Sequence, residues 1–189
     1  VGYIWEPEQD LIKLDIKDLY FGKSKRGKRP EIVKGDITDA LKLRFTRRTL
    51  VGKVACVFDP LGLVTPVSAK LKLDLHDLCR QKLDWDDEVP VEHLDLWVKN
   101  LADIQSLRDI PFRRTVIPDN AASTNIQIIV SVDASENLAI ACVHARVPLR
   151  DGNYSCQLLT GKSKLVVGST IPRAELRGAV MGSVLGQIV

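Results

Sequence analysis

The chain has 189 residues, of which 45% are apolar and 27% are charged, and its formal net charge is +3. Such a chain can bury the core of one ordinary domain or of two small ones, and its composition excludes a disordered polymer. No apolar run reaches the roughly 18 residues of a membrane-spanning helix, and residues 1–10 lack the basic start and apolar core of a signal peptide. We therefore expect an intracellular protein with no membrane partner.

The cysteines and histidines form no pattern typical of a metal site. There is no Cys-x-x-Cys pair, so neither a zinc ribbon nor a disulfide framework is indicated. His76 and Cys79 lie one helical turn apart without a second ligand pair, and we interpret them as ordinary helix residues. We expect reduced, mostly buried thiols at all four cysteines, which are Cys56, Cys79, Cys142 and Cys156.

A hairpin and a basic segment open the chain. Residues 2–5 and 11–16 are rich in apolar side chains and flank a turn with Pro7, which predicts two short antiparallel strands. Residues 23–34 carry six basic side chains and one acidic one, which predicts a basic linker. Clustered cations can hold a nucleic-acid backbone through its phosphates. The candidates for this role are Lys23, Lys25, Arg26, Lys28, Arg29, Arg47, Arg48 and Lys53.

Helices are predicted next, and strands after them. Apolar side chains recur at helical spacing in three segments, residues 46–58, 65–83 and about 94–101, with Trp85 and Trp97 as expected core anchors. Beyond residue 110 the apolar residues alternate instead, which predicts strands at residues 126–133, 138–147 and 154–160. Thr170-Ile171-Pro172 then opens another helix. This order predicts an α+β fold that ends in an antiparallel meander and a helix.

Two carboxylates stand out in that last region. Asp133 lies near the end of a predicted strand, and Glu175 lies in the first turns of the following helix. Hard divalent cations prefer oxygen ligands, so a pair of carboxylates brought together from two such elements can contribute to a magnesium site. From spacing alone the ordinary alternatives stay open, because a strand-end Asp is often a turn residue and a first-turn Glu often complements the helix dipole.

The helix after Pro172 has a stripe of small residues every four positions. Ala174, Gly178, Gly182 and Gly186 predict close packing of this helix onto the strands. An adjoining apolar row is formed by Leu176, Val180, Val184 and Ile188. We expect part of this row to lie uncovered and the chain to self-associate. Position 1 is not Met and residues 174–189 end without a polar tail, so we expect a fragment of a longer polypeptide.

Several motifs together resemble the pol polyproteins of BEL/Pao-type LTR retrotransposons. Phe58-Asp59-Pro60-Leu61-Gly62 before a Thr65-Pro66 helix start, followed by Leu83-Asp84-Trp85-Asp86, is a specific pairing. Gly2-Tyr3-Ile4-Trp5 resembles the end of the reverse transcriptase palm. Residues 126–146, with Val132-Asp133-Ala134-Ser135, resemble the first two strands of the retroelement RNase H domain, and the segment from Thr170 to Leu176 resembles the start of its first helix.

This resemblance implies a domain order and a chemistry. It implies a palm hairpin at residues 1–22, a basic linker at 23–45, a helical thumb or connection region at 46–110, and the N-terminal half of an RNase-H-like domain at 120–189. Asp133 and Glu175 would be the first two catalytic carboxylates, holding Mg²⁺ for two-metal hydrolysis of RNA in an RNA/DNA hybrid. The pattern needs further ligands that we expect beyond residue 189, so the fragment alone should be inactive.

The resemblance also implies partners and leaves alternatives. The expected partners are an RNA/DNA hybrid or template-primer and the remaining reverse transcriptase and RNase H segments, in a cytoplasmic particle or the nucleus. One alternative is a non-catalytic, domesticated or degenerate remnant that binds nucleic acid or protein. The family region is also named as an aspartic peptidase, but that chemistry places its carboxylate in Asp-Thr-Gly or Asp-Ser-Gly, and neither triplet occurs.

Overall fold

The computed structural model describes residues 2–16 and 45–189. It confirms the α+β class, with two three-stranded sheets and four α-helices among the described residues. The predicted basic linker lies outside the described residues, and so do five of the proposed phosphate contacts, Lys23, Lys25, Arg26, Lys28 and Arg29.

The elements follow one another in the predicted order. The six strands are β1 (Tyr3–Glu6), β2 (Leu11–Leu14), β3 (Phe112–Arg113), β4 (Gln127–Ala134), β5 (Leu138–Pro148) and β6 (Tyr154–Leu165). The four helices are α1 (Arg47–Val54), α2 (Thr65–Arg80), α3 (Leu94–Ser106) and α4 (Ile171–Ile188). Short 3-10 turns lie at Val91–His93 and Leu107–Asp109. None of the described helices is both long enough and apolar enough to cross a membrane.

The chain divides into two compact units, each built from distant segments. Of the described residues, the first unit contains 2–4, 13–16, 45–58 and 70–111, and the second contains 5–12, 59–69 and 112–189. The domain order that the sequence predicts, with consecutive domains at 1–22, 23–45, 46–110 and 120–189, stays a prediction.

Among the described residues, the first unit has an apolar core that contains one fully buried polar side chain, Asn100. Its fully buried large side chains are Leu14, Phe45, Leu50, Leu71, Leu78, Trp97, Ile104 and Leu107. Asn100 of α3 is also fully buried, and its Nδ2 donates to Asp74 Oδ2 of α2 at 2.8 Å. Lys70 Nζ donates to Asn100 Oδ1 and lies 3.3 Å from the same Asp74 carboxylate. Buried polar groups need such partners, so this trio aligns α2 and α3.

The second unit is a sheet in the order β4-β5-β6, and both strand pairings are antiparallel. The predicted meander is therefore correct. On the central strand β5 every second side chain is buried, from Ala139 through Ala141, Val143, Ala145 and Val147. The register between β5 and β6 shifts between Val143 and His144, which marks a bulge.

Helix α4 covers one face of this sheet through its small residues, as predicted. A methyl group on Gly182 would lie 2.4 Å from Val132 Cγ1, and one on Gly186 would lie 2.9 Å from Val130 Cγ2. Ala174 is buried and belongs to a small apolar cluster with Ala139 and Val166. The missing side chains let the helix backbone lie against the strand side chains.

Four local expectations were wrong. Helix α1 ends at Val54 instead of Phe58, because Gly52 and the β-branched Val54 and Val57 have low helix propensity. Helix α2 ends at Arg80 instead of residue 83, because Lys82 adopts a left-handed backbone with φ 58°. Trp97 is buried as expected, but Trp85 is 47% exposed. The thiols of Cys56 and Cys156 are likewise exposed, not buried.

Candidate functional site

Asp133 lies at the end of β4, at the sheet edge, with an exposed side chain. Its Oδ1 accepts a hydrogen bond from the Ala134 main-chain N at 2.9 Å. The tight turn into β5 follows, where Ser135 N donates to Leu138 O at 2.8 Å and Ser135 Oγ accepts from Leu138 N at 3.2 Å. These hydrogen bonds fix the turn that follows β4, and they therefore fix the main chain that carries the Asp133 carboxylate.

Glu175 lies in the first turn and a half of α4 and is exposed. The residue before it, Ala174, is anchored in the cluster with Ala139. Gly178, which follows Glu175 by one helical turn, packs on Asp133 itself, since a methyl group there would lie 3.6 Å from Asp133 O. The two predicted carboxylate residues therefore belong to segments that meet at the same end of the sheet.

The donor set fits part of a magnesium site. Carboxylate oxygens are the ligands that Mg²⁺ prefers, and one or two carboxylates with water and substrate phosphates can hold it. Within residues 2–16 and 45–189, no three or more His, Cys, Asp or Glu side chains come together as a metal cluster. Asp133 and Glu175 therefore stay two candidate carboxylate ligands from adjoining segments, and the described part of the chain shows no cluster of three.

The proposed phosphate contacts on α1 have partners within the chain. Arg48 forms a two-pronged ion pair with Asp86, with Nε–Oδ1 at 2.8 Å and Nη2–Oδ2 at 3.1 Å, and this bond raises the pKa of Arg48. Arg47 Nη1 donates to Leu83 O at 2.9 Å. Both guanidinium groups lie over the Trp85 ring, at 4.7 Å and 5.7 Å from its centre.

These contacts give two of the sequence motifs a structural role, because they hold two segments of the chain together. The arginine pair at the start of α1 and the Leu83-Asp84-Trp85-Asp86 corner bind each other, and Arg48 N also donates to Trp85 O at 2.9 Å. Trp85 is exposed because it serves as a platform for the arginines and not as a core anchor. The third cation of the group, Lys53, is partly buried, and this burial lowers its pKa.

The Asp59-Pro60-Leu61-Gly62 loop also has a structural role, since it starts α2 and contacts β6. The Asp59 carboxylate accepts from Leu63 N at 2.9 Å and from Val64 N at 2.8 Å, so it satisfies main-chain donors just before α2. Leu61 O accepts from Gly161 N of β6 at 2.9 Å. A methyl group on Gly62 would lie 1.7 Å from Gly161 O, so the two backbones touch. The contact of this loop with the sheet joins segments about 100 residues apart, so local patterns in the sequence do not indicate it.

A polar cleft in the second unit was not foreseen. It has a volume of about 630 Å³ and is lined mainly by polar side chains, including Gln9, Asp10, Arg113, Asn120 and Gln157. Asp10 accepts from Arg114 Nε at 2.5 Å and from the Thr115 hydroxyl, and these bonds hold its pKa below the usual value of 3.8. Residues 112–120 show no helical or strand periodicity and contain Pro118, so the sequence carried no signal for the cleft.

Two comparisons with known proteins found similarity. Residues 46–189 match the family model described as the Pao retrotransposon-like RNaseH-like domain. The sequence is also 29% identical over 116 residues to the transcription initiation factor TFIID subunit 11 of Rattus norvegicus. That alignment covers 61% of this chain and 46% of the relative, so the chain spans less than half the length of this curated relative.

Proposed function

Because the chain belongs to the family of Pao retrotransposon-like RNaseH-like domains, we propose that it takes part in hydrolysing the RNA strand of RNA/DNA hybrids within a retroelement pol polypeptide. The observation that carries the proposal is the contact between Gly178 and the main chain of Asp133, one helical turn from Glu175. It brings the strand end and the helix start to one place, as a shared metal site requires.

Asp133 and Glu175 have the role of holding and orienting the metal. Mg²⁺ held there would supply the positive charge that lowers the pKa of a water molecule and stabilises the leaving oxygen of the phosphodiester. Both side chains are exposed, so a bulky duplex can approach them. The turn held by Ser135 fixes the backbone of Asp133, and the Ala174 cluster fixes the backbone of Glu175.

We also propose that the chain links reverse transcriptase to RNase H in the parent polypeptide. The support is the likeness of residues 2–5 to the end of the polymerase palm and their place ahead of the RNase-H-like region. Template-primer would be held by the basic residues of the linker at 23–34. Arg47 and Arg48 are less available for this, because their guanidinium groups already bind Asp86, Leu83 and Trp85.

Cleavage of a labelled RNA/DNA hybrid in Mg²⁺ tests the proposal. We expect cleavage by a longer pol polypeptide that includes this chain, little or none by the 189 residues alone, and a loss of about 100-fold or more in the longer polypeptide with Asp133→Asn or Glu175→Gln. Glu136→Gln is the matched control, because this exposed carboxylate lies in the same turn outside the pair.

A non-catalytic remnant is the second candidate. Two observations favour it: the described residues bring no third metal ligand to the pair, and the similar rat protein carries the name of a transcription initiation factor subunit, not of a nuclease. Binding of the hybrid without cleavage by the longer polypeptide would exclude the nuclease role and leave the remnant as the explanation. Equal cleavage by the Asp133→Asn variant would instead remove Asp133 from the proposed site.

A further inference from the structure

Three cations converge on a groove between α4 and β6 that has a volume of about 580 Å³. Lys162 and Lys164 come from β6, Arg177 comes from α4, and all three side chains are exposed. Among the described residues, no Asp or Glu lines this groove, and no acidic side chain forms an ion pair with any of the three cations. The groove therefore carries positive charge that nothing in the described part of the chain compensates.

The remaining wall of the groove is apolar. It includes Val180, Val184 and Ile188 of the row that is predicted to lie uncovered, and these three side chains are exposed. Because this wall has no charge of its own, the electrostatic potential of the groove is set by its cations.

The register of the sheet places the cations along α4. Lys164 pairs with Ala139, which packs beside the first turn of the helix. Lys162 pairs with Ala141, which lies beside the middle of the helix. Arg177 lies between these two levels and lines the same groove from the helix side. The three cations therefore form a line and not a single point of charge.

We propose that Lys162, Lys164 and Arg177 bind the phosphate backbone of the RNA/DNA hybrid, at phosphates that flank the position to be cut. This inference rests on the proposed function, which supplies the hybrid as the ligand. Lys162 and Lys164 lie two residues apart on one face of β6, a distance of about 7 Å that is similar to the spacing of successive phosphates along one strand. Clustered Lys and Arg bind phosphates whatever the base sequence.

The cations begin at the same end of the sheet as the carboxylate pair. Ala134, the residue after Asp133, pairs with Ala139 of β5. Ala139 in turn pairs with Lys164 of β6. Two strand spacings, about 10 Å, therefore separate the main chain at Lys164 from the main chain next to Asp133. About three nucleotides of one strand span that distance, so a hybrid at the carboxylates can reach the groove with neighbouring phosphates.

The cations and the carboxylates lie on different sides of α4. Arg177 follows Glu175 by two residues, which is about 200° around a helix, so their side chains leave α4 in opposite directions. Arg177 thus binds phosphate without neutralising Glu175. An acidic segment of another protein would also meet the three cations, but it would not account for their place beside the end of the sheet that carries Asp133.

Binding of a labelled RNA/DNA hybrid to the chain, measured by fluorescence anisotropy without divalent cations, tests the proposal. We expect Lys162→Gln and Lys164→Gln each to weaken binding about fivefold or more at about 0.1 M salt, and each to lower the slope of log affinity against log salt by about 1. Lys162→Arg should bind as the wild-type chain does, because it keeps the charge. Lys99→Gln is the matched control, since this exposed lysine of α3 lies outside the groove.

Losses in the groove variants no greater than the loss in Lys99→Gln would overturn the proposal, because they would reflect net charge alone. Tighter binding of polyglutamate than of the hybrid, with the same dependence on Lys162 and Lys164, would overturn nucleic acid as the ligand. The assay contains no Mg²⁺, so its result is separate from cleavage. Groove-dependent binding without cleavage by a longer polypeptide contradicts the proposed function alone, and cleavage without groove-dependent binding contradicts this inference alone.

Discussion

At the scale of single residues, the loop ahead of α2 depends on a glycine that no other residue can replace. Gly62 has φ +73°, and a methyl group on it would overlap Gly161 O. Gly152 also has a positive φ, +85°, but a methyl group there would meet no atom within 4 Å. A comparison of Gly62 with Gly152 therefore separates the cost of backbone strain from the cost of a steric clash with a neighbouring strand.

Substitution of these two glycines should have very different effects. We predict that Gly62→Ala lowers the free energy of unfolding by about 3 kcal/mol or more, because strain and backbone overlap add. Gly152→Ala should cost only about 1 kcal/mol, from the left-handed backbone alone. Urea unfolding followed by circular dichroism measures both. Equal losses in the two variants would mean that the Gly62–Gly161 contact does not hold the loop on β6.

Asp10 predicts a pH effect whose sign follows from its partners. Hydrogen bonds from Arg114 and then Thr115 lower its pKa in the folded state. A lowered folded pKa stabilises the protein above the unfolded value, and this contribution is lost as the pH falls through the lower folded pKa. The stability lost in Asp10→Asn should therefore be greatest near neutral pH and should shrink below about pH 4.

Unfolding in urea at a series of pH values checks this prediction. Arg114→Gln removes the largest cause of the shift, so it should reproduce much of the same pH dependence. A difference between the wild-type chain and Asp10→Asn that stays constant down to about pH 3 would contradict the assignment.

Some single residues were predictable from sequence and others were not. Asp133 and Glu175 were placed on the correct elements, because a strand end and a Pro-started helix have local signals. Trp85 was assigned to the core and is exposed, because its arginine partners, Arg47 and Arg48, lie far earlier in the chain. Tryptophan is on average a highly buried residue type, but only the folded structure shows which side chains lie beside Trp85.

At the scale of elements, α4 depends on the spacing of its small residues. A methyl group on Gly182 would lie 2.4 Å from Val132 Cγ1 and 3.1 Å from Val130 Cγ1. Gly52 is also helical, in α1, but a methyl group there would have no neighbour within 4 Å. The effect of a Gly→Ala substitution on the free energy of unfolding should therefore have opposite signs in the two helices.

Gly182→Ala should destabilise the chain by about 1–3 kcal/mol, because the stiff valines of β4 or the whole helix must move. Gly52→Ala should stabilise it by about 0.5–1 kcal/mol, because alanine has the higher helix propensity. Thermal or urea unfolding of the two variants beside the wild-type chain decides the matter. Stabilisation by Gly182→Ala would contradict the close packing of α4 on β4.

The meander was predictable because alternating side chains give a strand both its period and its buried face. Helix ends were less predictable, as the early end of α1 shows. Strand β3 was missed altogether, because its two residues are too short to carry a period and form a strand only by pairing with Leu11 and Ile12 of β2.

At the scale of the whole molecule, each compact unit joins segments that are far apart in sequence. The second unit, for example, joins the Asp59 loop to the distant strand β6 through the Leu61–Gly161 hydrogen bond. The periodicity of apolar residues depends on local structure only, so it cannot predict that segments distant in sequence pack into one unit.

The central claim at this scale is that Asp133 and Glu175 share one metal site. Mn²⁺ titration of the chain, followed by broadening of amide NMR signals, tests it most directly, because Mn²⁺ is a paramagnetic replacement for Mg²⁺. We predict broadening of the end of β4 and the start of α4 together, reversal by excess Mg²⁺, and loss at both places in the Asp133→Asn variant. Broadening confined to one of the two segments, or unchanged at Glu175 in that variant, would contradict a shared site.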